Sequence, residues 1–369
     1  MRHIFLITID FFRKDFFNEK TMPFVYNFCK KGLSFERTYA TGPWSPASMV
    51  GILSSTYPLM YNSMILPDDV KTIAEVLAES DFQTGCFSTW GWLSPYFNYV
   101  KGFNYISEDK PEKETKWLNF KNWMNKHLQF TRKIHRLYYL IKEMKKGRNS
   151  NDIQEVNKAI EWIKQNKNNK SFCFMHLEGG HEPYFRGGSY LQRLRINYNQ
   201  FKVGKYSEKF IGAAKKVYQT ALQQVDKDLE LFVKSIKNEI NFDDCLFIFC
   251  GDHGQSVYER GYFGHWARFY EENIHVPLIF VGKDIINKNT NKLCSLVDLA
   301  PTLLSMLHIP SPDTFLGVDI FKTKIEYIIS EDAREKNLVN PNTKEISYDF
   351  KFRQCCTVKE DIKTIYNGE

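Results

Sequence analysis

Asp10, His181 and the adjacent pair Asp252-His253 lie in three segments far apart in the chain, yet each follows an apolar run that reads as a buried strand. Residues 3–9 end at Asp10. Residues 171–176 lead into Glu178 and His181, and residues 245–250 lead into Gly251-Asp252-His253-Gly254. In an open α/β sheet, ligands bind just beyond the carboxyl ends of the strands. Three distant segments are therefore expected to deliver their polar groups to one crevice. Carboxylate oxygens and imidazole nitrogens together suit a divalent cation, and glycines on either side of Asp252-His253 allow the tight turn that presents both. His265, preceded by Gly264, follows one loop later and can return to the same place.

Two further segments carry chemistry. In Thr41-Gly42-Pro43-Trp44-Ser45-Pro46-Ala47-Ser48, Pro46 fits the first helical position and Ser45 fits an N-cap. The same geometry suits a nucleophile. A hydroxyl at a helix N-terminus feels unpaired N–H groups and the positive dipole end, and a bound cation would activate it further. From His176 to Tyr184 the chain holds two imidazoles, two carboxylates and two adjacent glycines, an unusual density after a buried strand. Asp10 also has a bland reading as a turn cap, and Arg13 with Asp15 reads equally well as a structural ion pair.

The elements that position these groups alternate between strand and helix from end to end, which argues for an α/β fold with a largely parallel sheet. Helices are expected at residues 22–31, 46–54, 72–79, 152–165, 206–240 and 297–307. Strands are expected at 3–9, 34–41, 83–88, 171–177, 245–250 and 277–281. Short strand signals at 327–329 and 350–366 suggest a small second sheet. We expect a catalytic domain over 1–310, a short C-terminal extension over 311–369, and an insertion or lid over 106–150.

The chain has 369 residues, 43% hydrophobic and 25% charged, the balance of a globular protein with a sizeable core. Eight cysteines form no regular framework, and no apolar run is long enough to span a membrane. The N-terminal apolar run is too short for a signal peptide, so a reduced, cytoplasmic protein is expected, peripheral to the membrane at most. The net charge of +7 is local, because residues 116–148 hold ten Lys or Arg against one acid, Glu143. That stretch, interleaved with Trp117, Phe120, Trp123 and Phe130, reads as an amphipathic helical hairpin on the core. It reads also as a surface for anionic lipid headgroups or a polyanionic glycan. No readout motif points to nucleic acid.

Taken in order, these segments resemble the sulfatase branch of the alkaline phosphatase superfamily, which also holds phosphonate monoester hydrolases and phosphodiesterases. Asp10, Arg13 and Asp15 fit its D-x-x-R-x-D opening. The stretch from Tyr39 to Tyr57-Pro58 is similar to its nucleophile segment. His176 to Tyr184 resembles H-x-x-x-x-H-x-P-Y, and Asp252-His253-Gly254, Gly264-His265 and Val276-Pro277-Leu278 resemble its D-H-G … G-H … V-P-L run. Asp298 to Thr302 matches its D-x-x-P-T helix. The resemblance implies an alkaline-phosphatase-like three-layer α/β/α sandwich with a small C-terminal subdomain. It implies one divalent cation (Mn, Zn, Ca or Mg) on Asp10, Asp252, His253 and Ser45, with a second less favoured. Ser45 would be the nucleophile, and His181 and His265 would bind an anionic ester and protonate its leaving oxygen.

Departures from the family pattern bear on the substrate. Sulfatases make formylglycine from Cys or Ser in a C/S-x-P-S-R context, whereas this chain reads Ser45-Pro46-Ala47-Ser48-Met49. Phe11 stands where the usual opening has a second Asp. An unmodified serine suits phosphoryl transfer, because water can hydrolyse a phosphoserine while a sulfated serine has no easy route onward. Phosphodiesterase, phosphonate esterase or phosphatase chemistry is therefore favoured. The alternatives are a formylglycine-dependent sulfuric ester hydrolase and a non-catalytic binder of an anionic glycan or headgroup.

Overall fold

The computed structural model describes residues 1–61, 65–107, 152–181, 184, 186–199, 204–265, 268–339, 346–360 and 362–367, without the side chains of 197–199, 333–339 and 346–353. The basic stretch 116–148, and almost all of the expected lid, lie outside the described residues.

Strand β1 (His3–Ile9) is followed by helix α1 (Pro23–Cys29), β2 (Leu33–Tyr39), α2 (Ser45–Ser54), α3 (Ile73–Ala78), β3 (Phe82–Ser88) and β4 (Tyr105–Ile106). Helix α4 (Asp152–Asn166), β5 (Lys170–Leu177), α5 (Tyr190–Asn199) and α6 (Glu208–Ile236) come next. Then come β6 (Cys245–Gly251), β7 (Ser256–Val257), β8 (Phe263–Gly264), α7 (Glu271–Ile274), β9 (His275–Gly282), β10 (Lys288–Ser295) and α8 (Leu299–Met306). Strands β11 (Tyr327–Val339), β12 (Ile346–Lys359) and β13 (Ile362–Asn367) close the order.

The main sheet runs β10-β2-β9-β6-β1-β5-β3-β4, with β9 antiparallel to both its neighbours and the other pairs parallel. Alternation along β1 divides the core. Ile4 and Leu6 face a cluster built with α2, α3 and α8, while Phe5, Ile7 and Ile9 face one built with α1, α4 and α6. Helices thus cover both faces of a mostly parallel sheet, as the three-layer expectation required. Strands β11 to β13 form the small antiparallel sheet expected near the C-terminus. It is tied to the main body by Glu331 N–H donating to Thr41 O at 2.7 Å.

Register sets the level of the site. Ile9 lies opposite Leu177 on one side and Gly251 on the other. Asp10, Glu178 and Asp252 therefore leave three adjacent central strands at the same height. The strands approach so closely beyond their ends that side chains must vanish. A Cβ on Gly180 would sit 2.2 Å from Asp10 O, and one on Gly251 would sit 2.4 Å from Phe12 O.

Several elements differ from expectation. Strand β10 and helix α5 carry no strong sequence signal. The helix expected over 297–307 begins as a 3-10 turn, Leu296–Asp298, with Asp298 and Ser295 in a capping box. The cysteines are all free, and only Cys355 is not fully buried. Among the described residues no helix is long and apolar enough to cross a membrane.

Candidate active site

Asp10, Ser45, His176, Asp252 and His253 converge beyond the ends of β1, β5 and β6, all buried to 5% exposure or less. Ser45 is not the N-cap of α2. Trp44 holds that position, with no side-chain cap bond, and Ser45 is the first residue of the helix. Its hydroxyl turns away from the helix amides. It lies 3.1 Å from His253 Nε2 and 3.5 Å from Asp10 Oδ1. The capping reading of Ser45 is thereby replaced: the side chain is committed to the crevice.

Hydrogen bonds fix both imidazoles. A carbonyl can only accept, so the 2.8 Å contact of His253 Nδ1 with Gly254 O is an Nδ1–H donor, leaving Nε2 with its lone pair toward the crevice. That nitrogen is 3.5 Å from Asp10 Oδ1 and 3.7 Å from Asp252 Oδ2. Asp252 Oδ1 accepts from His253 N–H at 2.7 Å. His176 leaves β5 on the same side, its Nδ1 2.9 Å from Thr8 Oγ1 on β1. Burial pushes the His176 imidazole down to about 4, so it is neutral at pH 7. Burial pushes the Asp252 carboxyl up, against the pull of His176 and of hydrogen bonds from His253 N–H, the Ser45 hydroxyl and Phe11 N–H.

Asp10, His176 and Asp252 each offer an atom within 4.8 Å of the others. His176 Nε2 and Asp252 Oδ2 are buried and make no hydrogen bond among the described residues. Ligands sharing a cation at about 2.0–2.2 Å lie roughly 3–4.4 Å apart. A cluster whose atoms all lie within 4.8 Å of one another can close on such an ion with small side-chain shifts, and buried acceptors without donors call for a positive charge. The residues therefore fit a divalent cation.

Phe11 fills the space beside this cluster. It is fully buried and adopts the left-handed conformation, φ 59°, unusual for an aromatic residue. Strain of this kind gathers at functional sites. The turn places its ring parallel to His181 at 4.5 Å and within 4.8 Å of both His253 and His265. Asp10, Asp252 and His253 and both acid candidates, His181 and His265, thus share one neighbourhood, with Phe11 as its wall. Arg13 is structural here. It pairs with Asp15 at 2.7 Å and Glu259 at 2.6 Å, and donates to Gln255 O at 3.0 Å, pinning the turn after β1 to the loop after β6. Sequence reasoning missed Thr8, Glu259 and the aromatic group formed by Trp44, Trp90, Trp92 and Phe97, and saw Phe11 only as a departure from the family pattern. Of that group, Trp90 lies 5.3 Å from His176.

Behind the β5 loop sits a second buried carboxylate. Asp152 Oδ1 accepts from Glu178 N–H at 2.9 Å. Burial, reinforced by the Glu178 charge, pushes its carboxyl up to about 7. A raised carboxyl costs stability as pH climbs, because the unfolded chain releases its proton near 3.8 while the folded chain holds it to about 7. Asp152→Asn, which keeps the accepting oxygen, is expected to stabilise the protein by roughly 2–4 kcal/mol at pH 8. The gain should fade toward pH 4. Denaturant titrations at both pH values check this, and an equal effect at both would refute the raised carboxyl.

The sequence model described as Sulfatase matches residues 2–309. The chain belongs to the sulfatase family. Arylsulfatase K of Bos taurus is 28% identical over 146 residues, covering 39% of this chain and 27% of the relative. The matched stretch is thus a minor part of that protein. The phosphonate monoester hydrolase of Agrobacterium radiobacter superposes with a TM-score of 0.67 at 16% identity, over 100% of this chain and 87% of the other. A 2-O GAG sulfatase superposes at 0.66 with 15% identity, over 99% and 85%. The alkaline-phosphatase-like fold is secured by these superpositions. Enzymes of this superfamily depend on metal, and the buried Asp10, His176 and Asp252 fit that dependence.

Proposed function

We propose that the protein hydrolyses anionic esters with Ser45 as nucleophile, and that phospho- and phosphono-esters are preferred over sulfate esters. The observation that carries this is the Ser45 hydroxyl, turned from its helix into a cluster of two carboxylates and two imidazoles. A bound divalent cation would screen the substrate's negative charge and lower the serine pKa. The protein's own residues supply the rest. Asp10, Asp252 and His253 would hold the cation, with Ser45 Oγ beside them. Asp10 Oδ1, which accepts from the Ser45 hydroxyl at 3.5 Å, is in place to receive the serine proton, while His253 Nε2 is committed to the cation. Ser45 Oγ attacks phosphorus, the P–O bond to the leaving group breaks, and His265 or His181 returns a proton to the departing oxygen. Water then cleaves the phosphoserine and regenerates the enzyme. The preference for phosphorus follows from Ser45-Pro46-Ala47-Ser48-Met49, which lacks the proline and arginine of the formylglycine context. Residues 1–310 would form the catalytic unit and 311–369 its extension.

A steady-state comparison of the metal-loaded protein on aryl phosphate, aryl phosphonate, bis-aryl phosphate and aryl sulfate esters tests the reading. Faster turnover of a phospho- or phosphono-ester is expected. Turnover of the sulfate alone would reverse the preference and call for formylglycine at position 45, while no turnover of any ester would favour a non-catalytic binder of an anionic glycan or headgroup.

A further inference from the structure

His176 lies outside the cation ligands implied by the family resemblance, yet its geometry is that of a ligand. Its β5 position is opposite Thr8 on β1. The Thr8 hydroxyl has one proton, and at 3.2 Å it donates to Met175 O. The 2.9 Å contact between Thr8 Oγ1 and His176 Nδ1 is then an Nδ1–H donated to Thr8. This leaves Nε2 as a bare lone pair, 1% exposed as a residue and without a hydrogen bond among the described residues. A ring nitrogen of His176 lies within 4.8 Å of a carboxylate oxygen on each of Asp10 and Asp252, and with Nδ1 committed to Thr8 it is Nε2 that is left to bind there. Metal-bound histidines characteristically donate their other ring N–H to a fixed acceptor, which sets tautomer and orientation. Thr8 does this for His176 as Gly254 O does it for His253.

We propose that His176 Nε2, held by Thr8, is a second imidazole ligand beside His253, and that this makes the site select Zn²⁺ over Ca²⁺ and Mg²⁺. The inference rests on the metal-dependent reading above and deepens it. Calcium takes six to eight oxygens, and magnesium demands an octahedral oxygen shell and keeps its waters. Two carboxylates with two imidazoles form a mixed nitrogen and oxygen set, which favours the transition series and zinc. The His176 ring is buried at 1% exposure and packs against Trp90 at 5.3 Å, which limits its freedom to turn away. Thr8 is a positioning residue in this scheme, because it acts only through His176.

The test is metal binding to the full chain after chelation, so it is independent of turnover. Calorimetric titration with Zn²⁺, Ca²⁺ and Mg²⁺ should show Zn²⁺ binding at least about 100-fold more tightly than the other two. His176→Gln should weaken Zn²⁺ by more than the roughly 10–100-fold that loss of an outer-shell partner costs, and Thr8→Val by about that amount, with Thr8→Ser restoring it. Cobalt substitution gives the second readout: the visible absorption of the Co²⁺ protein should shift in His176→Gln and recover in Thr8→Ser. Circular dichroism and thermal melts in chelator establish that each variant folds. Wild-type zinc affinity and an unchanged cobalt spectrum in folded His176→Gln would overturn the proposal, as would equal affinity for Ca²⁺ and Zn²⁺. If Asp10→Asn and Asp252→Asn abolish binding while His176→Gln does not, the second imidazole fails and the hydrolase reading stands. If no cation binds the wild type, both fail.

Discussion

Ser45→Ala should lower ester turnover by about 10⁴-fold or more, equivalent to about 5 kcal/mol of barrier, while leaving the fold in place. The size of the effect follows from what the hydroxyl is placed to do. It caps no helix, since Trp44 occupies that position, so the substitution removes no cap bond from α2. It faces His253 Nε2 and Asp10 Oδ1 and lies on the buried side of the crevice. Its loss therefore removes the attacking oxygen and little else. The melting temperature of Ser45→Ala in chelator should match that of wild type closely, which separates a chemical defect from a folding one. A rapid quench of wild type with a slow phospho-ester should leave a phosphate on the peptide that carries Ser45, and the variant should leave none. Wild-type turnover in folded Ser45→Ala would end the serine assignment, and the attacking group would then have to be water.

The central strands were legible in the sequence because strands buried on both faces are continuous apolar runs, and β1, β5 and β6 are fully apolar or nearly so. The long helix α6 was legible from its 3.6-residue period. Strand β10 was not. It lies at the sheet edge, pairs only with β2, and begins Lys288-Asn289-Thr290-Asn291, so half of it faces water and carries no apolar run. The site was legible in part. Asp10, Asp252 and His253 stand at strand ends and announce themselves. Ser45 is ambiguous from its own segment, because a serine before a proline is the signature of a cap. What decides against the cap is a one-residue shift of the helix start, and that depends on how Trp44 and the following helix pack. The part played by His176 was hidden for a deeper reason. Its tautomer and aim are set by Thr8, 168 residues away in sequence, through a strand register that exists only in the folded sheet. Phe11 was noticed as a missing carboxylate, and only its left-handed turn makes it the wall that gathers His181, His253 and His265.

His265→Ala should show a leaving-group dependence that no binding role can mimic. His265 is 8% exposed and lies 4.8 Å, ring to ring, from His253, which itself touches Ser45. Phe11 packs against it and against His181, so the two acid candidates flank one aromatic ring. His265 is the more buried of the two and the one beside His253, so it is the better placed to reach an oxygen leaving the atom that Ser45 attacks. A general acid contributes about 10²–10⁴-fold when the departing oxygen needs a proton. It contributes little when that oxygen is already a stable anion. His265→Ala is therefore expected to cut kcat/KM by roughly 10²–10⁴-fold on alkyl phospho-esters and by less than about tenfold on nitrophenyl esters. The dependence of rate on leaving-group pKa should steepen accordingly. His181, less buried, is expected to act more on KM than on kcat. A uniform loss across all leaving groups in His265→Ala would assign that residue to substrate binding. If His181→Ala instead produced the steeper dependence, the acid would be on the other side of Phe11.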